Sequence, residues 1–271
     1  MCIRDRSYHV DEDFYLSTTY YYHLVRTGRW RSWYFHRDEV TIPLGTAYLL
    51  GAGLELSGEP VETSPHKFET WWDSQKHLPT KCERFEASTL RAGRRTAAIA
   101  SIGSCLLLFL IAWRVLGWPT AMVATALFGW NPLLSTSGRR AMCEGPLVFF
   151  WLLAVLVPVV FFSVLIGRWR RGWLQILIVA GFGLLQGTAV GLATGTKLSA
   201  GLAAIATAAL LIVLVVWRLV VVAAAARRPV AIARGWLADR PMALLVLAAG
   251  VSMAVSIIVF VLPNPRLWPD P

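Results

Sequence analysis

Residues 97–116 read AAIASIGSCLLLFLIAWRVL, twenty consecutive positions whose single charge, Arg114, lies near the far end. A helix of that length rises about 30 Å, the thickness of a bilayer's hydrocarbon core. A helix also satisfies its own backbone hydrogen bonds, as a chain surrounded by lipid must. The pattern recurs at Trp118–Leu134, Pro146–Ile166, Trp173–Thr194, Leu198–Ala226 and Pro241–Leu262. Together these stretches predict an all-α fold, a multi-pass transmembrane helical bundle of about six spans. The second is short and carries Asn131 and Pro132, so it reads either as a span or as a re-entrant segment.

Composition agrees. Of 271 residues, 56% are hydrophobic and 15% charged, and the mean hydropathy is +0.55, too apolar for an ordinary soluble domain. Residues 1–95 carry 13 acidic and 13 basic side chains, so the net charge of +10 resides in the apolar remainder. Its arginines cluster between apolar runs, where the cytoplasmic bias of membrane proteins places them, and nucleic acid is not an expected partner. Cys2, Cys82, Cys105 and Cys143 are too scattered for a zinc site or a disulfide framework.

The boundaries follow from the same pattern. Residues 1–95 are expected to form an external, partly helical N-terminal loop segment lying at the membrane surface, with 1–6 resembling an assembly scar. Residues 96–262 form the spanning domain, and 263–271 begin a further external loop. With the N-terminal segment outside and six spans, Arg168, Arg170, Arg171, Arg227, Arg228, Arg234 and Arg240 all fall inside. Arg139 and Arg140 fall outside in a short loop, against the bias. The opposite arrangement, with the N-terminal segment inside and 118–134 unspanned, also keeps the later clusters cytoplasmic. Gly183, Gly187, Gly191 and Gly195 form a small-residue stripe suited to close helix packing. Aromatics from Tyr20 to Trp72 suit the headgroup level, and Val40–Leu56 is read as a helix in that plane.

Three groups of residues can carry chemistry. Asp11, Glu12 and Asp13 precede Tyr15 in VDEDFY; a carboxylate held at a membrane surface can act as a general base toward a hydroxyl, and a solvated turn or a helix-dipole charge explains the same residues. Arg140 and Glu144 in RRAMCE are four apart and are expected to share a helix face at the mouth of a span. There an Arg can hold a phosphate, or form an interfacial ion pair while snorkelling to water. Lys197, in GLATGTKLSAGL, stands alone between two apolar runs, either an interfacial anchor or a site cation.

VDEDFY, the R-x-x-x-E of RRAMCEGPLVFFWLLAV and GLATGTKLSAGL resemble the corresponding stretches of the GT-C membrane glycosyltransferases, the protein O-mannosyltransferase and aminoarabinose-transferase type. LRAGRRTAAIASIGSCLLLFLIAWRVLG is similar to the Arg-containing helix that leads into their second span. The resemblance implies a chain lacking the first span and the C-terminal part. It further implies transfer of a sugar from a polyprenyl-phosphate carrier to an acceptor (protein, lipid or glycan) at the outer face of the cell membrane. Asp11 and Glu12 would be the catalytic carboxylates, with Arg140, Glu144 and Lys197 binding the donor phosphate and sugar. No cofactor or metal site is expected, although carboxylates can recruit a divalent cation. A membrane transporter or flippase, or a non-catalytic scaffold, is the alternative; the former calls for an inverted repeat of interrupted helices.

Overall fold

The computed structural model describes residues 10–29, 44–63, 86–167, 173–197 and 240–264. All regular structure in them is helical: α1 Val10–Ser17, α2 Thr19–Arg26, α3 Gly45–Leu56, α4 Ala87–Leu116, α5 Trp118–Trp130, α6 Pro132–Gly138, α7 Glu144–Gly167, α8 Trp173–Thr196 and α9 Arg240–Val261. Among the described residues, Ala87–Leu116, Glu144–Phe161 and Ile176–Thr196 are long and apolar enough to cross a membrane. The chain is a helical membrane protein. The expected span at 198–226 lies outside the described residues.

Helix α4 runs 30 residues, about 45 Å, and so outreaches the hydrocarbon core by several turns. Arg91, Arg94 and Arg95 occupy that overhang, continuous with the span. At the other end Gly117, at φ 89, takes a backbone conformation open mainly to glycine and turns the chain back.

The return leg is not one spanning helix. Helix α5 has 13 residues, about 20 Å, short of the core's thickness. It stops because Pro132 has no N–H to continue the ladder and biases Asn131 toward extended backbone, observed at φ −63 and ψ 117. Asn131 then starts α6, its Oδ1 accepting from the N–H groups of Leu133 at 3.0 Å and Leu134 at 3.3 Å. Gly138 arrives beside α4, where the Ser101 hydroxyl donates to its carbonyl at 3.1 Å. Ser101 stands about 24 Å along α4 from Gly117. The segment read as either spanning or re-entrant is thus a helix pair broken at Asn131–Pro132.

The glycine stripe packs as expected, with one exception. A Cβ on Gly183, Gly187 or Gly191 would lie within 3.0 Å of Val251, Val255 or Val259 respectively. The steady four-residue step on both sides makes α8 and α9 parallel. Gly195 has nothing within 4 Å of its Cβ position; its carbonyl instead lies against Gly45 at the start of α3.

One end of the bundle gathers α1, α3, the start of α4, the α6–α7 turn and the ends of α8 and α9. Leu44 N–H donates to Asn264 Oδ1 at 3.2 Å, Thr46 Oγ1 to the Thr196 carbonyl at 3.3 Å, and Tyr48 to the Pro263 carbonyl. A cluster of Leu16, Leu54, Ala92 and Ala141 ties α1, α3 and α4 to that turn. Helix α3, the expected in-plane helix, therefore lies across this end as a clamp.

Candidate functional site

Helix α1 opens at Val10, so Asp11, Glu12 and Asp13 sit in its first turn. The side chain of Asp11 lies outside the described residues, as do Asp38 and Glu39. Glu12 is fully buried. Its carboxylate meets Arg94 in two-point fashion, Nε to Oε1 at 2.8 Å and Nη2 to Oε2 at 2.7 Å. Oε1 also accepts the Ala141 N–H at 3.0 Å. A buried carboxylate survives only when paired and hydrogen-bonded in this way. Glu12 is thus a tie between α1, α4 and the α6–α7 turn, and a carboxylate so occupied is poorly placed to take a proton.

The expectation that Arg140 and Glu144 share one helix face is corrected. Helix α7 begins at Glu144, and residues 139–143 form a turn in which Arg140 N–H bonds Ser137 and Met142 N–H bonds Arg140. Pro146 is accommodated in the first helical turn, but its ring would clash with the Met142 carbonyl were the helix extended upstream. Arg140 is half-buried in the turn, and its guanidinium has no partner among the described residues; Arg139 is exposed. The partner of Glu144 is Lys197, whose Nζ lies 3.6 Å from Oε1. Glu144 Oε2 is buried without a hydrogen-bond partner among the described residues. It borders a cavity of ≈ 30 Å³ that Ser101, Ser104 and Ser137 also line, large enough for a water molecule.

Tyr15 adds a contact that sequence reading missed: its hydroxyl donates to Cys143 Sγ at 2.9 Å. Cys143 is buried, and desolvation pushes its thiol up to about 11, the Tyr15 hydrogen bond opposing that shift. Arg94 was legible only as one of three arginines heading α4. Gly93 beside it lacks the Cβ that would meet Leu16 and Ala141, so α4 approaches α1 and the turn closely here.

Of the expected site residues, Glu12, Arg140, Glu144 and Lys197 therefore lie at one end of the bundle. Glu12 holds the backbone of Ala141, which follows Arg140; Tyr15 holds Cys143, which precedes Glu144; and Glu144 faces Lys197. Arg140 and Lys197 are the cations that this end of the bundle could offer to an anionic group. Among the described residues no three His, Cys, Asp or Glu side chains converge as a metal set.

Comparison with known families finds a match to dolichyl-phosphate-mannose-protein mannosyltransferase over residues 67–263. No curated protein and no solved structure matches the chain.

Proposed function

Because the chain belongs to the dolichyl-phosphate-mannose-protein mannosyltransferase family, a family of glycosyltransferases with lipid-linked sugar donors, we propose that it moves mannose or a similar sugar from a polyprenyl phosphate to a protein hydroxyl at the outer face of the cell membrane. Asp11 takes the acceptor's proton. The freed oxygen forms a bond to the anomeric carbon from the face opposite the phosphate, and the carbon–oxygen bond to phosphate breaks with its electron pair staying on the phosphate. Configuration inverts.

Phosphate leaves without a proton donor, so what the site supplies is compensation for charge growing on its oxygens. Arg140 and Lys197 carry that charge compensation, and Glu144 keeps Lys197 at the site until the anion arrives. Glu12 acts through position, fixing the first turn of α1 against the turn that carries Arg140. That tie, the two-point Glu12–Arg94 pair with Ala141 on the same carboxylate, is the observation that carries the reading. Membership of this family displaces the transporter and scaffold alternatives.

The test is transfer of radiolabelled mannose from polyprenyl-phosphate mannose to a Ser/Thr-rich peptide by the protein in membranes. Asp11→Asn keeps size but removes basicity and is expected to lower turnover by about 10²–10⁴ with donor affinity nearly unchanged. Asp38→Asn is expected to be mild. An active Asp11→Asn protein would remove Asp11 as the base.

A further inference from the structure

Lys197 is the first residue past α8, and its N–H still bonds the Ala193 carbonyl of that helix at 3.2 Å. Glu144 holds the ammonium only loosely: the two are 3.6 Å apart, Lys197 is nearly half exposed, and its four-carbon stem is flexible. Where Nζ can reach is therefore set by the backbone from which it hangs. That backbone meets α3. The Thr46 hydroxyl donates to the Thr196 carbonyl at 3.3 Å, one of the carbonyls that a helix end leaves without a partner of its own, and both threonines are buried. On the same turn of α3, a Cβ at Gly45 would stand 2.6 Å from the Gly195 carbonyl carbon and 3.1 Å from the Thr196 nitrogen. Leu44 N–H closes on Oδ1 of the buried Asn264. The first turn of α3 is thus wedged between the last turn of α8 and the chain just past α9.

We infer that the first turn of α3 positions Lys197 for the leaving phosphate, with Thr46 and Gly45 as the positioning residues. Thr46 holds the Thr196 carbonyl, and Gly45 has no side chain to push the end of α8 away. The inference rests on the reading of Lys197 as a cation of the site and adds what places it. Leu44 and Tyr48 already fasten α3 to the residues after α9, so a purely structural clamp needs no contact with α8. The contacts of Gly45 and Thr46 instead fall on the two residues immediately before Lys197. The N-terminal segment then serves the two cations by separate ties: Glu12 to Ala141, beside Arg140, and Thr46 to Thr196, beside Lys197. Separate ties predict that a change at Thr46 couples to Lys197 and not to Arg140.

The test is a pair of double-variant cycles on transfer from polyprenyl-phosphate mannose by the protein in membranes, with kcat taken per folded molecule. Thr46 is the residue to change, since a Cβ at Gly45 would displace backbone. Thr46→Val keeps the side chain's shape and removes the hydroxyl. It is expected to lower kcat about three- to tenfold, the net contribution of one hydrogen bond, with the donor KM little changed. Thr46→Ser, which keeps the hydroxyl, is expected to keep the native rate. In the Lys197→Ala protein Thr46→Val should cost less than about twofold, because its effect travels through a side chain that is gone, whereas in the Arg140→Ala protein it should cost as much as in the native protein. An equal loss in the native and Lys197→Ala proteins, a loss confined to KM, or a native kcat for Thr46→Val would overturn the inference and leave the proposed function standing. Native transfer by Lys197→Ala would remove Lys197 from the site and overturn both the inference and that part of the proposed function.

Discussion

Arg94 and Glu12, 82 residues apart in the chain, close a two-point ion pair in which the carboxylate is fully buried and the guanidinium about one-quarter exposed. Such a pair says more about what breaks when one partner goes than about net stability, because the surviving charge is left desolvated. Arg94→Ala is therefore expected to cost about 3–5 kcal/mol, read as a fall in thermal midpoint in detergent. The double variant Glu12→Gln, Arg94→Met should unfold later than Arg94→Ala. Both should fail in transfer, since the tie to Ala141 is changed in each. A double variant no more stable than the single one would show that the buried charge is not the dominant cost.

The Glu144–Lys197 pair belongs to a different regime. At 3.6 Å, with the Lys197 side chain 47% and the Glu144 side chain 33% exposed, it is expected to contribute no more than about 1 kcal/mol to stability. Lys197→Ala should leave the thermal midpoint nearly unchanged and lower kcat by about 10²–10³, the usual cost of removing one charge-stabilising group. A large loss of stability without loss of transfer would make Lys197 an anchor only.

Arg140 and Arg139 are separated by their places in the turn. Arg140→Ala should depress kcat by about 10-fold or more, as expected of a group stabilising the leaving phosphate. Arg139→Ala, whose side chain is exposed, should lower transfer less. Equal and small effects of both substitutions on all parameters would reduce the pair to interfacial anchors.

Legibility tracked the physics that each residue obeys. Helices α4, α7 and α8 were readable because a bilayer demands long uncharged runs, and the stripe at Gly183, Gly187 and Gly191 was readable because close helix approach demands small residues at four-residue spacing. The shape of 118–138 was half-readable: Asn131–Pro132 announced a break, but hydropathy does not say whether the two pieces together cross. The R-x-x-x-E spacing misled because it assumes a helix through 140–144, and Pro146 carried the contrary signal. Pairings such as Glu12 with Arg94 or Glu144 with Lys197 depend on which helix ends meet, and one chain's residue order does not encode that directly. The family resemblance supplied the residue types at this end of the bundle, and the packing of α1 on α4 supplied the partners.

The α8–α9 interface yields an internal control. A Cβ at Gly187 would stand 2.5 Å from the Ser252 carbonyl oxygen and 2.7 Å from Val255 Cβ, whereas Gly181 has nothing within 4 Å. Gly187→Leu is expected to destabilise by at least the 1–3 kcal/mol typical of overpacking and to lower the yield of folded protein. Gly181→Ala should be neutral or slightly stabilising, since alanine narrows the unfolded ensemble and adds helix propensity. Normal yield and thermal midpoint for Gly187→Leu would mean that the two helices do not approach this closely.

The last test uses Cys143, whose thiol is raised to about 11 chiefly by burial. In the unfolded chain a cysteine titrates near ~8.5. The raised folded value means that the contribution of the neutral thiol is fully present below ~8.5 and is lost as pH rises through 11, where the unfolded state has already released its proton. The stability gap between the native protein and Cys143→Ala should therefore be constant up to pH ~8 and narrow above it, by about 1.4 kcal/mol per pH unit at most. Alkylation of Cys143 with iodoacetamide should be slow at neutral pH and climb only toward pH 11. Because the Tyr15 hydroxyl donates to sulfur and favours the thiolate, Tyr15→Phe should push that rise to still higher pH. Rapid alkylation at pH 8, with a midpoint that Tyr15→Phe does not move, would show that the thiol is neither buried in the turn nor bonded to Tyr15, and the packing of α1 against residues 141–143 would have to be redrawn.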